Sequence, residues 1–140
     1  MKADCGRSKP AALYRCSMSE RLEIHVIDDD DAVRDSLGLM LQVEGFTVFT
    51  YASCAAFLRD ARVDQNCCLI VDMHMPGMSG LELLLQLRKE GRNTPFIIMT
   101  GTVNERLRNS ASRARAVLLE KPYRRSEVIG SINAAVGREL

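Results

Sequence analysis

The sequence predicts a doubly wound α/β domain, in which a five-stranded parallel sheet is covered on both faces by five helices. Three observations predict it. Short runs of β-branched and large apolar residues recur five times between Ile24 and Leu119. Stretches with apolar residues at helical spacing separate them and follow the last one, and Gly or a capping residue punctuates most of the junctions. Strand and helix patterns in strict alternation require parallel pairing with crossover helices, and right-handed crossovers place helices on both faces.

The elements follow in order. Ile24, Val26 and Ile27 form the first strand, which runs into the acidic cluster Asp28 to Asp31. Val33, Leu37, Met40 and Leu41 lie on one face of the first helix, which Gly45 stops. Phe46 to Tyr51 reads as the second strand. Ser53 is an N-cap for a short helix carrying Phe57 and Leu58. Leu69, Ile70 and Val71 make a third strand that ends at Asp72. Ser79, with Glu82 three residues on, forms a capping box for a helix whose apolar face is Leu83, Leu84 and Leu87 and which ends at Gly91. Phe96 to Met99 form the fourth strand, ending at Thr100. A polar helix over Glu105 to Arg113 follows, then a fifth strand from Val117 to Leu119 that ends at Glu120 and Lys121. Ser126 is expected to cap the last helix, with Val128, Ile129, Ile132 and Val136 facing inward.

The chain of 140 residues suits one domain with a real core, and 46% hydrophobic with 26% charged residues is ordinary for a globular protein. A formal net charge of +1 gives no global argument for nucleic acid, membrane or acidic ligands. No apolar run approaches the roughly 20 residues of a membrane span. The five cysteines form no C-x-x-C pair, and His25 and His74 lie far from them, which argues for free thiols in a reducing compartment and against zinc. Residues 1 to 21 are expected to be a disordered extension without a secretory signal, Met18 being an alternative start, and residues 22 to 138 the domain.

The chemistry lies at the carboxyl ends of the strands, where open α/β sheets bind ligands. Asp28 and Asp29, Asp72, Thr100 and Lys121 stand at four such ends. Three converging carboxylates repel one another, and a hard divalent cation such as Mg²⁺, with oxygen ligands, compensates them. An aspartate carboxylate can act as a nucleophile towards phosphorus. Lys121 and Thr100 add a positive charge and a hydrogen bond for phosphoryl oxygens. Phosphoryl transfer asks mainly for positioning and charge neutralisation, and this set supplies both. Taken singly, each feature has a plainer reading. Asp30 and Asp31 suit the first turn of a helix, where carboxylates favour the dipole. Thr-Gly after a strand is usually a turn, and Lys-Pro a strand exit. Their joint placement at four strand ends favours the site.

V-I-D-D at Val26 to Asp29, L-I-V-D-M-H-M-P-G-M-S-G at Leu69 to Gly80, I-I-M-T-G at Ile97 to Gly101 and E-K-P-Y at Glu120 to Tyr123 occur in the order and spacing of a known family. From Ile24 to Val136 the chain resembles the receiver domain of bacterial two-component response regulators, of flavodoxin-like fold, and within them the FixJ-like receivers. The resemblance implies that Asp72 is the phosphoacceptor and that Asp28, Asp29, Asp72 and the backbone carbonyl of His74 hold Mg²⁺. Thr100 and Gly101 would bind the phosphoryl group and respond to it, and Lys121 would pair with it. His74 and Thr102 would tune water access, and Lys121–Pro122 would be a cis peptide. The implied partner is a histidine kinase or phosphotransfer protein in the cytoplasm, and the implied activity is self-phosphorylation and autodephosphorylation rather than turnover of a substrate.

The chain departs from the family at three points. Leu118 stands where the family usually carries Tyr or Phe, so the usual coupling of threonine to an aromatic ring is missing. The segment from Thr100 to Lys121 is about one residue short, and Arg106, Arg108, Arg113, Arg115, Arg124 and Arg125 crowd the expected output face. That face reads as solvated surface or as a docking surface for an acidic protein. A direct nucleic-acid role is not expected, since no aromatics interleave. No effector domain follows the last helix, which suggests a stand-alone receiver. Oligomeric state is left open, a phosphorylation-dependent dimer included. Two other functions are weighed. A haloacid-dehalogenase-like phosphatase would need its nucleophile on the first strand and a further acidic group after the lysine. A receiver-like kinase-binding or inhibitory module, whose own phosphorylation is weak or dispensable, fits the missing aromatic.

Overall fold

The computed structural model describes residues 22–62 and 66–137. The readings made for the extension at residues 1–21, for Cys5 and Cys16, and for the end of the domain at residue 138 lie outside them. Five strands, β1 (Glu23–Ile27), β2 (Thr47–Tyr51), β3 (Cys67–Asp72), β4 (Phe96–Thr100) and β5 (Val117–Glu120), alternate with α1 (Asp31–Val43), α2 (Cys54–Asp60), α3 (Gly80–Lys89), α4 (Glu105–Arg113) and α5 (Arg125–Val136). The sheet order is β2-β1-β3-β4-β5 and every pairing is parallel. The order reverses between β1 and β3, so the chain winds one way to β2 and the other way to β5. This is the doubly wound arrangement that the alternation predicts, in the flavodoxin-like order that the resemblance implies.

Burial explains the strand compositions. All six residues of β3 and all five of β4 are buried, as expected for central strands covered on both faces. One face of the sheet, with Ile24, Val26, Ile70, Ile97 and Met99, packs on Leu37 and Leu41 of α1 and on Val128 and Ile132 of α5. The other, with Ile27, Leu69, Val71, Phe96 and Ile98, packs on Phe57 of α2 and on Leu83, Leu84 and Leu87 of α3. Truncating one of these leucines to alanine costs roughly 2–5 kcal/mol in a core that cannot collapse around the gap.

Local signals set the helix ends. Asp30 caps α1 by accepting from the N–H groups of Ala32 and Val33, at 2.9 and 3.2 Å. Its role is therefore the structural one, while Asp31 sits in the first turn. Ser53 caps α2, and Ser79 and Glu82 close the expected capping box on α3. The last helix corrects the sequence reading, since Arg124 rather than Ser126 occupies its N-cap. The Glu127 carboxylate accepts from the Arg124 N–H at 2.7 Å, which fixes the start two residues earlier and leaves Ser126 within the first turn. The Lys121–Pro122 peptide is cis.

Candidate functional site

The acidic strand ends meet at the topological switch point. One carboxylate oxygen each from Asp28, Asp29 and Asp72 lies within 4.8 Å of the other two, and this is the only such cluster among the described residues. Sheet register brings them together. Ile27 pairs with Val71, so Asp28 and Asp72 are the next residues on neighbouring strands. Asp72 lies beside Met99, which puts Thr100 one residue further along β4. Thr100 lies beside Glu120, and Lys121 follows it.

Asp28 is fully buried and Asp72 nearly so, whereas Asp29 is exposed. Asp28 Oδ1 accepts from the Asp30 N–H at 2.9 Å, and Oδ2 is buried without a hydrogen-bond partner among the described residues. Burial pushes the Asp28 carboxyl above its ordinary range. The Asp30 N–H pulls it back, Asp72 and Asp29 push it up further, and Lys121 opposes them. Lys121 Nζ donates to Asp72 Oδ1 at 3.1 Å and lies 4.0 Å from Asp28 Oδ2. Partial burial alone would lower the ammonium's pKa. The hydrogen bond to Asp72 and the charges of Asp72 and Asp28 outweigh burial and raise it.

One ammonium against three carboxylates leaves an excess of negative charge around an orphaned carboxylate oxygen. A hard cation with oxygen ligands fits that deficit, and the donor set suits Mg²⁺, which takes one or two carboxylates and keeps waters. The residues able to hold it are Asp28, Asp29 and Asp72.

Thr100 is fully buried, and its hydroxyl is engaged with its own loop: it donates to the Thr102 carbonyl at 3.0 Å and accepts from the Thr102 N–H at 3.1 Å. His74, two residues after Asp72, and Gly101 and Thr102, directly after Thr100, are exposed. Gly80 was not singled out by sequence reasoning beyond its place in a motif. A Cβ built there would stand 2.7 Å from the Asp72 carbonyl oxygen, so the start of α3 lies directly against the backbone of Asp72. Leu118 is half-buried and packs with Ala116 against the α2–α3 side of the core.

Four of the six arginines of the expected output face line two separate grooves. Arg125 pairs with Glu44 and lines a groove with Arg124 and Ile129, between α1 and α5. Arg113 and Arg115 line a separate groove with α3. The three cysteines among the described residues are buried and form no disulfide; burial, and then the Glu82 charge, push the Cys54 thiol up to about 11.

A parallel α/β sheet with a carboxylate trio, a lysine and a threonine at its switch point defines an acidic site suited to a hard cation on a flavodoxin-like fold. The family profile described as the response regulator receiver domain matches residues 24–133, and the chain belongs to that family. Over 123 residues it is 44% identical to the transcriptional regulatory protein FixJ of Azorhizobium caulinodans, covering 86% of this chain and 58% of that protein. It is 36% identical over 121 residues to the response regulator protein TodT of Pseudomonas putida, covering 85% and 53% respectively. The crystal structure of FixJ-N superposes with a TM-score of 0.73 at 35% identity, over 85% of this chain and 96% of that one. Full-length FixJ from B. japonicum gives 0.74 at 35% identity, over 84% and 59%. The chain thus spans somewhat over half the length of the curated relatives it matches. Receiver domains are signalling modules, and the acidic pocket is where they generally bind Mg²⁺. Among the described residues no helix is long and apolar enough to cross a membrane.

Proposed function

We propose that this domain, residues 22 to 138, is a phosphorylation switch that takes a phosphoryl group onto Asp72 from a histidine kinase or phosphotransfer protein. The observation that carries the reading is the carboxylate trio around the orphaned Asp28 Oδ2, with Lys121 Nζ 3.1 Å from Asp72 Oδ1. A carboxylate oxygen of Asp72 attacks phosphorus. The P–O bond forms as the P–N bond of the phosphohistidine donor breaks, and the imidazole keeps the electron pair. Asp28, Asp29, Asp72 and the His74 carbonyl would hold Mg²⁺, which would neutralise charge on the transferring group. Lys121 moves its contact from the Asp72 carboxylate to a phosphoryl oxygen. Thr100 and Gly101 bind another, and to do so the Thr100 hydroxyl gives up its two contacts with Thr102, which reorganises the loop leading into α4. His74 and Thr102 flank the group and set water access for hydrolysis. The domain acts in the cytoplasm through protein contacts and has no activity beyond its own phosphorylation and dephosphorylation. Its arginine-rich side is the partner surface.

Intact mass after incubation with acetyl phosphate tests this. One phosphoryl group should add only with Mg²⁺ and not in Asp72→Asn; persistent single-site labelling of that variant would overturn the assignment. A second reading, a receiver-like kinase-binding module with weak or dispensable phosphorylation, draws on Leu118 in place of an aromatic and on the Thr100 hydroxyl satisfied within its own loop. No added mass under any condition would favour it.

A further inference from the structure

We infer that the groove between α3 and α4 is a docking site for an acidic protein segment carrying an aliphatic anchor residue. The groove measures about 400 Å³ and is lined by Leu85, Arg88, Ser110, Arg113, Ala114 and Arg115. Leu85 is 49% exposed although its helix neighbours Leu83, Leu84 and Leu87 are fully buried. An isolated exposed leucine is ordinary, but this one stands in a concavity ringed by three arginines.

No carboxylate lines the groove. Nearby, Glu82 is held by the capping box, and Glu90 pairs with Arg92 and accepts from Gln86. Arg88 builds the floor. Its guanidinium donates to the carbonyls of Ala114, Arg92 and Arg115, tying α3 to the turn that follows α4. Arg115 donates to the Asn93 side chain. Arg113 has no carboxylate partner among the described residues, and Arg106 lies seven residues before it on the same side of α4.

Charge complementarity selects the occupant. Guanidinium groups pair with carboxylates in planar, two-point geometry, and the apolar centre asks for an aliphatic side chain. Nucleic acid would meet no aromatic side chain to stack on here. The inference rests on reading the arginine-rich side as a partner surface, and it narrows that surface to one groove. It is independent of whether Asp72 is phosphorylated.

The test is titration of the unphosphorylated protein with a short fluorescein-labelled peptide of glutamates flanking one leucine, at low and at moderate salt, with amide chemical shifts mapped in parallel. Saturable binding should perturb Leu85, Ser110 and Arg113 to Arg115. Arg113→Glu and Leu85→Gln should each weaken it about tenfold, equivalent to about 1.4 kcal/mol. Arg108→Glu, the same charge change elsewhere on α4, should change it less than about twofold. Thermal melts establish that each variant folds. Absence of saturable binding overturns the inference. So does an equal loss in Arg108→Glu, or no effect of Leu85→Gln, because either reports diffuse charge attraction. Tighter binding of a DNA duplex through the same residues assigns the groove to nucleic acid and overturns it as well. A negative mass experiment on Asp72 beside a positive titration would separate failure of the phosphorylation reading from failure of this one.

Discussion

Asp28 is fully buried, its Oδ1 held by the Asp30 N–H and its Oδ2 without a hydrogen-bond partner among the described residues. A charge in that position is tolerated for what it can bind, because Lys121 at 4.0 Å compensates it only in part. Asp28→Asn keeps the acceptor for the Asp30 N–H and removes the desolvated charge. The metal-free variant should therefore be more stable than wild type by about 1 kcal/mol. The stabilisation that excess Mg²⁺ gives the wild type should fall sharply in the variant. Thermal melts with and without Mg²⁺ read both, and an unchanged Mg²⁺ shift would remove Asp28 from the metal site. Gly80 constrains the same site from behind. With Asp72 backbone atoms 2.7 and 3.2 Å from a built Cβ, Gly80→Ala must push α3 off the strand end. It should cost about 1–3 kcal/mol in urea unfolding and slow labelling by acetyl phosphate. An alanine variant of wild-type stability would show that the helix start yields freely.

Among the elements, α5 offers a direct comparison of two caps. The Glu127 carboxylate satisfies the Arg124 N–H, whereas Ser126 is exposed within the first turn. Glu127→Ala should lower stability by about 1 kcal/mol, and Ser126→Ala should stay within about 0.5 kcal/mol of wild type. The reverse order of urea midpoints would restore the serine cap. This element also shows what was legible in the sequence. The alternation of strands and helices, the span of α4 and the Ser79–Glu82 box could be read because each rests on residues within a few positions of one another. The candidate site could be read because four strand ends carry its carboxylates, hydroxyl and ammonium together. The cap of α5 was misassigned because serine is the commoner cap, while the glutamate that decides the matter works from three residues inside the helix. Arg115, in the left-handed region at φ 60°, was missed for a similar reason: glycine usually marks that position, and here none does. The placing of Arg124 and Arg125 in one groove and of Arg113 and Arg115 in another depends on helix packing, which no spacing rule reveals.

At the scale of the whole molecule, a buried histidine links the edge of the sheet to its centre. His25 is 1% exposed, stacked on Phe49 and Tyr51 of β2 and edge-on to Phe57 of α2. Its Nδ1 lies 2.9 Å from the Tyr51 hydroxyl and its Nε2 3.4 Å from Glu23 Oε1. The partners come from positions far along the chain, so the sequence showed His25 only as a strand residue. Burial lowers its pKa below the ordinary 6.5, and Glu23 offsets this only in part. Between the folded-state pKa and 6.5 the unfolded chain therefore binds more protons than the folded one. Stability from this group is complete above about pH 6.5 and is lost as pH falls through the window below it. Asp28 acts in the opposite sense, since its raised pKa makes the folded state the better proton binder just above 3.8. Comparison with a His25 variant isolates the histidine. Urea unfolding in metal-free buffer from pH 7.5 down to pH 5 should show wild type losing more stability than His25→Asn. The substitution will cost stability at every pH because it removes the stacked ring, but its slope should be flatter. Parallel slopes would mean that His25 titrates normally in the fold and that the aromatic cluster of β1, β2 and α2 opens to water more readily than its packing implies.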